Sequence, residues 1–201
     1  MITGPKYKIC KRLGAAIFEK CQTQKFQLAM ERAPRKRSGK RGGSDYGAQL
    51  IEKQKARFTY GLSEGQFSRY VFEAMGKGGD SAASLMGRLE SRLDNVVYRA
   101  GFVRTRRAAR QLVSHGHVMV GGKRMTIPSH RVEVGDVVSI RPESRNSPLF
   151  ANRQEQVAET TTPAWMTLEE GGMGVTIASE PTVATSELQF SAPVIIQFYS
   201  R

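Results

Sequence analysis

The sequence has few cysteines and no long hydrophobic run. Cys10 and Cys21 are its two cysteines among 201 residues, which argues against a disulfide-stapled scaffold and favours a reducing, cytoplasmic setting. No apolar run approaches the roughly 18 residues that a membrane-spanning helix needs, so we expect no membrane partner. The basic N-terminus also lacks the apolar core of a secretion signal.

Acidic residues are scarce as well, and the resulting positive charge is unevenly distributed. The chain carries 31 Lys and Arg against 18 Asp and Glu, a net charge of +13. The excess lies in residues 1–60 and 88–145, whereas residues 146–201 are mildly acidic. Such an excess indicates a polyanionic partner, nucleic acid first and an anionic membrane less often. We therefore expect the two basic blocks to contact the polyanion.

The chain has no recognisable pattern of catalytic or metal-binding residues. No Ser/His/Asp arrangement is visible, and the glycines at 171, 172 and 174 are not followed by the Lys-Ser/Thr of a phosphate loop. His115 and His117 have no Cys or carboxylate cluster to complete a metal site. Asp94 lies in a helical run and is expected to pair with a nearby arginine. These patterns predict no enzyme activity, no cofactor and no metal.

The periodicity of apolar residues predicts an α+β protein. A mostly helical N-terminal domain precedes a compact helix-turn-helix with a small antiparallel sheet. Ser44 and Ser63 are expected to cap the first two helices of that domain. The predicted divisions are a basic N-terminal arm at 1–43, a helical domain at 44–87, a basic module at 88–145 and a C-terminal segment at 146–201 that docks back on the N-terminal domain.

Within the module, the pattern predicts two helices and a hairpin. A helical run from Ser81 ends at Gly101, and Thr105 caps the next helix. Gly121-Gly122 is a strong signal for a two-residue hairpin, with a return strand beginning at Lys123. A further strand is expected at 137–140.

The stretch RTRRAARQLVSHGHVMVGGKR, residues 104–124, places four arginines within its first seven residues. Cations at a helix N-terminus oppose the helix dipole, at a cost of about 0.3–1 kcal/mol each. Their presence there indicates a phosphate nearby, because the helix N–H groups and the arginine forks both bind anions. The plainer alternative is a solvated arginine face.

Two sets of residues are therefore candidate RNA contacts. The set in the module comprises Arg92, Arg104, Arg106, Arg107, Arg110, Gln111, His115, Lys123 and Arg124. The set nearer the N-terminus comprises Lys36, Arg37, Lys40, Arg41, Lys53 and Arg57.

The run RLDNVVYRAGFVRTRRAARQLVSHGHVMVGGKRMTIPS, residues 92–129, resembles the RNA-binding core of the small-subunit ribosomal protein S-four family. SDYGAQLIEKQKARFTYG, residues 44–61, is similar to the N-terminal helices of that family. Some family members hold zinc with four cysteines, whereas this chain has two. The resemblance covers nearly the whole chain, so it extends well beyond the isolated RNA-binding module.

The resemblance implies a structural protein of a bacterial or organellar ribosome. It implies binding to the 5′ domain of small-subunit ribosomal RNA early in assembly, and a contribution to translational accuracy. It also implies contacts with ribosomal protein S-five and with messenger RNA near the place where the messenger enters.

Two other classes of protein use the same module. An RNA-modifying enzyme would need a large catalytic domain, for which residues 146–201 are too few. A free RNA chaperone that rescues stalled particles would not need the matching N-terminal helices.

Overall fold

The computed structural model describes residues 4–32, 44–76, 78–150, 162–169, 171–184 and 187–200. The chain divides into two compact units. The N-terminal unit is Met1–Leu85 with Ala184–Arg201, and the module unit is Met86–Val183. Four of the predicted RNA contacts, Lys36, Arg37, Lys40 and Arg41, lie outside the described residues.

Residues 4–32 were predicted as part of a basic arm, but in the structure they are helical. Their small core buries Cys10, Cys21 and Phe26 completely or nearly so. So small a core leaves little apolar periodicity in the sequence, which explains why the helices were missed. The elements are α1 (Lys6–Leu13), a 3-10 turn (Glu19–Cys21) and α2 (Gln24–Glu31).

The next three helices are α3 (Asp45–Thr59), α4 (Glu64–Met75) and α5 (Ser81–Glu90). The predicted caps of the first two are confirmed. The Ser44 hydroxyl accepts a hydrogen bond from the Gly47 N–H at 3.2 Å, and that of Ser63 accepts one from Gln66 at 3.3 Å. Such caps satisfy N–H groups that have no partner within the helix.

The module unit combines helices with a five-stranded antiparallel sheet, as the predicted fold class requires. The strands are ordered β2-β1-β3-β5-β4. The elements are α6 (Leu93–Arg99), α7 (Arg106–Ser114), β1 (Val118–Val120), β2 (Lys123–Met125), β3 (Val137–Ile140), α8 (Pro142–Arg145), a 3-10 turn (Pro148–Phe150), β4 (Met166–Leu168) and β5 (Gly174–Ile177).

The predicted hairpin joins β1 to β2. Val120 pairs with Lys123, and Gly121 and Gly122 between them have φ values of 54° and 77°. Positive φ at both central residues gives the turn a twist that matches the flanking strands, and glycine adopts it without steric cost.

The core of the module unit is formed by α6, α7 and the sheet. Val97, Val113 and Val138 are fully buried there, and Trp165 is nearly so. β4 and β5 extend this sheet, although their residues belong to the segment that was expected to dock on the N-terminal domain. The structure therefore divides that segment between the two units.

The remainder of the segment belongs to the N-terminal unit. Its helix α9 (Ala192–Tyr199) packs against α3 and α4. Ile195 is fully buried, and the ring of Tyr199 lies 6.4 Å from that of Phe67.

The helical run predicted from Ser81 to Gly101 is interrupted after Glu90. Arg92 is extended, with φ −69° and ψ 136°. The chain here pairs with a distant segment: the Leu93 N–H donates to the His130 carbonyl, and the Val132 N–H donates to the Ser91 carbonyl, both at 2.8 Å. These long-range hydrogen bonds replace helical ones, so local periodicity does not reveal the break.

Candidate nucleic-acid interface

The outer face of α7 carries most of the predicted contacts of the module. Ala109, Leu112 and Val113 are buried, which turns the opposite side of the helix to solvent. Arg107 and Gln111 are exposed on that side. The Thr105 hydroxyl accepts the Ala108 N–H at 2.9 Å and fixes the start of the helix, as predicted.

Arg124 joins the hairpin to the C-terminal end of α7. Its Nη2 atom donates to the His115 carbonyl at 3.4 Å. The guanidinium lies across Gly116, where a Cβ atom would collide with it. A cation is favourable at this end of a helix, because the last carbonyls carry partial negative charge.

These contacts connect α7 and the hairpin into one cationic surface, which we call the α7–hairpin strip. Its members are exposed apart from Arg110, which is half-buried. They are Arg104, Arg107, Arg110, Gln111, His115, Lys123 and Arg124.

Arg106 was predicted to be on this surface, but its side chain points into the module instead. Its Nε donates to Asn95 Oδ1 at 2.8 Å, and its Nη2 lies 4.0 Å from Glu90 Oε1. The guanidinium carbon is 4.3 Å from the centre of the Tyr98 ring, within the range of a cation–π contact. The side chain keeps 23% of its surface exposed.

Glu90 is the centre of this arrangement and was not singled out from the sequence. It is completely buried and accepts Asn95 Nδ2 at 2.6 Å and Arg99 Nε at 2.9 Å. A carboxylate almost never occupies a fully buried position without partners. The available signal was its place beside Leu89, in the apolar stripe of α5. We call Glu90, Asn95, Arg99 and Arg106 the Glu90 network.

Arg92 is also inside the module rather than on its surface. It is 2% exposed, and its Nε and Nη2 atoms donate to the two carboxylate oxygens of Asp94 at 3.0 and 2.7 Å. The expected pairing of Asp94 with an arginine is confirmed. The prediction of Arg92 as a surface contact is not supported, because this two-point pair uses its guanidinium inside the core.

Lys53 and Arg57, the described candidates of the N-terminal unit, both bind Glu64. Lys53 Nζ is 2.5 Å from one carboxylate oxygen and Arg57 Nη1 is 3.1 Å from the other. Lys53 is buried, and its ammonium lies 4.7 Å from the centre of the Phe198 ring. The Tyr199 hydroxyl donates to Glu64 at 2.9 Å. This cluster joins α3, α4 and α9.

The pKa values of this cluster reflect the same contacts. Burial by itself would raise the pKa of Glu64, but hydrogen bonds from Lys53 and Tyr199 and the charges of Lys53 and Arg57 outweigh it and hold that pKa below its usual value. Burial and the bond to Glu64 raise the pKa of the Tyr199 hydroxyl. Glu64 is therefore an ionised acceptor at neutral pH.

Cys10 and Cys21 are both buried and free. Burial, together with the neighbouring Cys10 thiol, raises the pKa of Cys21 to about 12. Across the described part of the chain, no three His, Cys, Asp or Glu side chains come together as a metal-binding group. The same described residues contain no helix that is long and apolar enough to cross a membrane.

Two protein-family models match the chain and together cover most of it. The model described as "Ribosomal protein S4/S9 N-terminal domain" matches residues 1–90, and the model described as "S4 domain" matches residues 91–138. The second match includes α6, α7 and the hairpin.

Several curated relatives carry the same name, small ribosomal subunit protein uS4. The protein from Roseiflexus castenholzii is 43% identical, over 98% of both chains. That from Acetivibrio thermocellus is 40% identical, over 99% of this chain and 98% of its own length. That from Corynebacterium kroppenstedtii is 47% identical, over 79% of each chain.

Proposed function

This chain belongs to the family of small ribosomal subunit protein uS4, and from that membership we propose that it binds ribosomal RNA of the small subunit through the α7–hairpin strip. The family is structural and not enzymatic, so the interface serves binding alone. The observation that carries the proposal is the set of exposed cations on this strip, namely Arg104, Arg107, Lys123 and Arg124.

Two physical features suit this strip to phosphates. The first turn of α7 contributes N–H groups and the positive end of the helix dipole, which favour an anion. Arg104 and Arg107 are exposed around that turn and can approach phosphate oxygens with two donors each. A surface of this kind reads the backbone and shape of a structured RNA rather than its sequence.

The family resemblance supports a more detailed role. We propose the 5′ domain of the ribosomal RNA as the binding partner, at an early step of subunit assembly. Contacts with ribosomal protein S-five and with incoming messenger RNA, and a contribution to accuracy, are proposed on the same basis. The N-terminal unit offers an aromatic surface for a protein neighbour, since Tyr46 and Phe72 are 53% and 57% exposed.

The direct test is binding of the full chain to a 5′-domain RNA fragment across a salt series. Arg104→Ala and Arg107→Ala should each reduce the slope of log affinity against log salt by about one. Arg145→Ala is the matched control, because Arg145 is an exposed cation of the same unit outside the strip.

Wild-type binding should also exceed binding to an unrelated structured RNA of equal length. Equal affinity for both RNAs, with both variants indistinguishable from wild type, would contradict the proposed interface.

A further inference from the structure

We propose that Arg106 and Glu90 are positioning residues: they orient the first turn of α7 so that its neighbours Arg104 and Arg107 meet phosphate, and Arg106 itself does not. This inference rests on the proposed function. It gives Arg106 and Arg107 different roles, although they are adjacent in the sequence and carry the same side chain.

The contacts of Arg106 leave its guanidinium little capacity for an RNA ligand. Its Nε donates to Asn95 at 2.8 Å, and its Nη2 lies 4.0 Å from the Glu90 carboxylate. The guanidinium carbon lies 4.3 Å from the centre of the Tyr98 ring. To reach a phosphate, the side chain would have to give up these contacts. Asn95 would then lose a donor in a site where Asn95 is 2% exposed.

The charge of Arg106 is also partly compensated by a buried carboxylate. Glu90 supplies one negative charge in a fully buried position, which it shares between Arg99 at 2.9 Å and Arg106. Arg107 is exposed. The attraction available to a phosphate is therefore greater at Arg107 than at Arg106.

The network is well placed to orient the helix. Glu90 is the last residue of α5, Asn95 and Arg99 belong to α6, and Arg106 is the first residue of α7. The hydrogen bond to Asn95 and the ion pair with Glu90 therefore tie the start of α7 to two other helices, next to the Thr105 cap. Side chains held in this way are pre-organised, which spares ordering entropy on binding.

The test compares the same substitution at two adjacent positions. Arg106→Gln and Arg107→Gln each remove one charge from the first turn of α7, and each is titrated with the 5′-domain RNA across the salt series. Arg107→Gln should lower the salt slope by about one. Arg106→Gln should leave the slope unchanged and lower the affinity by a similar factor at every salt concentration, roughly tenfold for one hydrogen bond to a charged group.

Glu90→Gln extends the comparison without touching a cation. It should weaken RNA binding with an unchanged slope, as Arg106→Gln does, although removing a negative charge would strengthen binding if only net charge mattered. Thermal unfolding shows whether each variant is folded. If Glu90→Gln is unfolded, Arg106→Lys takes its place, since lysine keeps the charge and loses the geometry.

A second measurement is made on the wild-type chain and uses a variant only to assign a resonance. The Nε–H resonance of Arg106, assigned by its loss in Arg106→Lys, should exchange slowly with solvent and move little when RNA is added. The Nε–H resonance of Arg107 should exchange fast in the free chain and shift on binding.

Two outcomes would overturn the inference while leaving the proposed function intact. One is an equal fall in salt slope for Arg106→Gln and Arg107→Gln, which identifies Arg106 as a phosphate contact. The other is unchanged affinity for Arg106→Gln and Glu90→Gln. Failure of the wild-type chain to prefer the 5′-domain RNA would instead overturn the proposed function, and this inference with it.

Discussion

The predicted RNA contacts that the structure describes have different surroundings in the two units. In the N-terminal unit, the described candidates Lys53 and Arg57 are both held by Glu64, and Lys53 also lies over the Phe198 ring of α9. In the module unit, Arg107 and Lys123 are exposed on a continuous strip. These candidate cations thus serve packing in one unit and present a surface in the other, depending on whether a carboxylate lies within reach.

The module repeats the contrast on a smaller scale. Arg106 is next to the exposed Arg107 in the sequence, yet Glu90 holds Arg106 inside, as Asp94 holds Arg92. An arginine in this module is therefore assigned a role by its carboxylate partner rather than by its place in the sequence.

The largest effect is expected on stability, at the buried pair of the module. Arg92→Met should lower the free energy of unfolding by about 3–5 kcal/mol, because it leaves Asp94 charged and buried without its partner. Urea unfolding measures the loss. Arg107→Met, an exposed arginine of the same unit, should change it by no more than about 0.5 kcal/mol.

The double variant Arg92→Met/Asp94→Leu should recover most of that stability, because it removes both charges. If Arg92→Met is as stable as wild type but binds RNA more weakly, Arg92 is an RNA contact and not a core residue.

A smaller loss of stability is expected at Gly116, where α7 meets the hairpin, and Gly121 provides the matched control. Gly116→Ala and Gly121→Ala each place a side chain at positive φ, at a cost of about 1–2 kcal/mol. A Cβ at Gly116 also displaces Arg124, whereas a Cβ at Gly121 has no atom within 4 Å. We expect Gly116→Ala to be the less stable variant and the one that weakens RNA binding. Equal RNA affinity for the two variants would show that the position of Arg124 is unimportant.

A third comparison uses one variant from each unit, Lys123→Ala and Arg57→Ala. Lys123→Ala should lower the salt slope of RNA binding by about one, since Lys123 is exposed on the strip. Arg57→Ala should leave the slope unchanged, because Glu64 already binds that guanidinium at 3.1 Å. Filter binding of both variants at four salt concentrations measures the slopes. A fall in slope for Arg57→Ala would place the N-terminal unit at the interface as well.

The smallest effect is the pH dependence contributed by Glu64. Its pKa in the folded chain is below the value of about 4.3 expected in the unfolded chain, so its ionisation stabilises the fold above that pH. The contribution is lost as pH falls through the folded pKa. The stability difference between wild type and Glu64→Gln should be below about 1 kcal/mol at pH 7, since Glu64 is 43% exposed. This stability difference should shrink below pH 4. If urea unfolding gives the same difference at every pH, the ionisation of Glu64 does not contribute to stability.

Local features of the fold were predictable because their causes lie within a few residues. Ser44, Ser63 and Thr105 cap helices through N–H groups three residues ahead. Gly121-Gly122 forms the hairpin turn because glycine accepts positive φ. The helical spacing of Ala109, Leu112 and Val113 sets the buried face of α7 in the same way.

Other features depend on contacts that the local pattern does not contain. The break at Arg92 follows from hydrogen bonds to residues 130 and 132, far along the chain. The strands β4 and β5 complete a sheet begun near residue 118, although their own segment is short and poor in periodicity. The helices of residues 4–32 depend on a core of three buried side chains.

The amino-acid sequence by itself determined the fold class, the helix caps, the hairpin, the basic character and the family of this protein, because composition, short-range hydrogen bonding and residue order are all present in it. Only the tertiary structure decided which cations reach solvent. Arg106 meets Asn95, and Lys53 meets Glu64, each across 11 residues, while Tyr199 meets Glu64 across 135. Whether a charged side chain is buried or exposed depends on the partner that lies beside it in the folded chain. Such partners are set by the packing of whole helices.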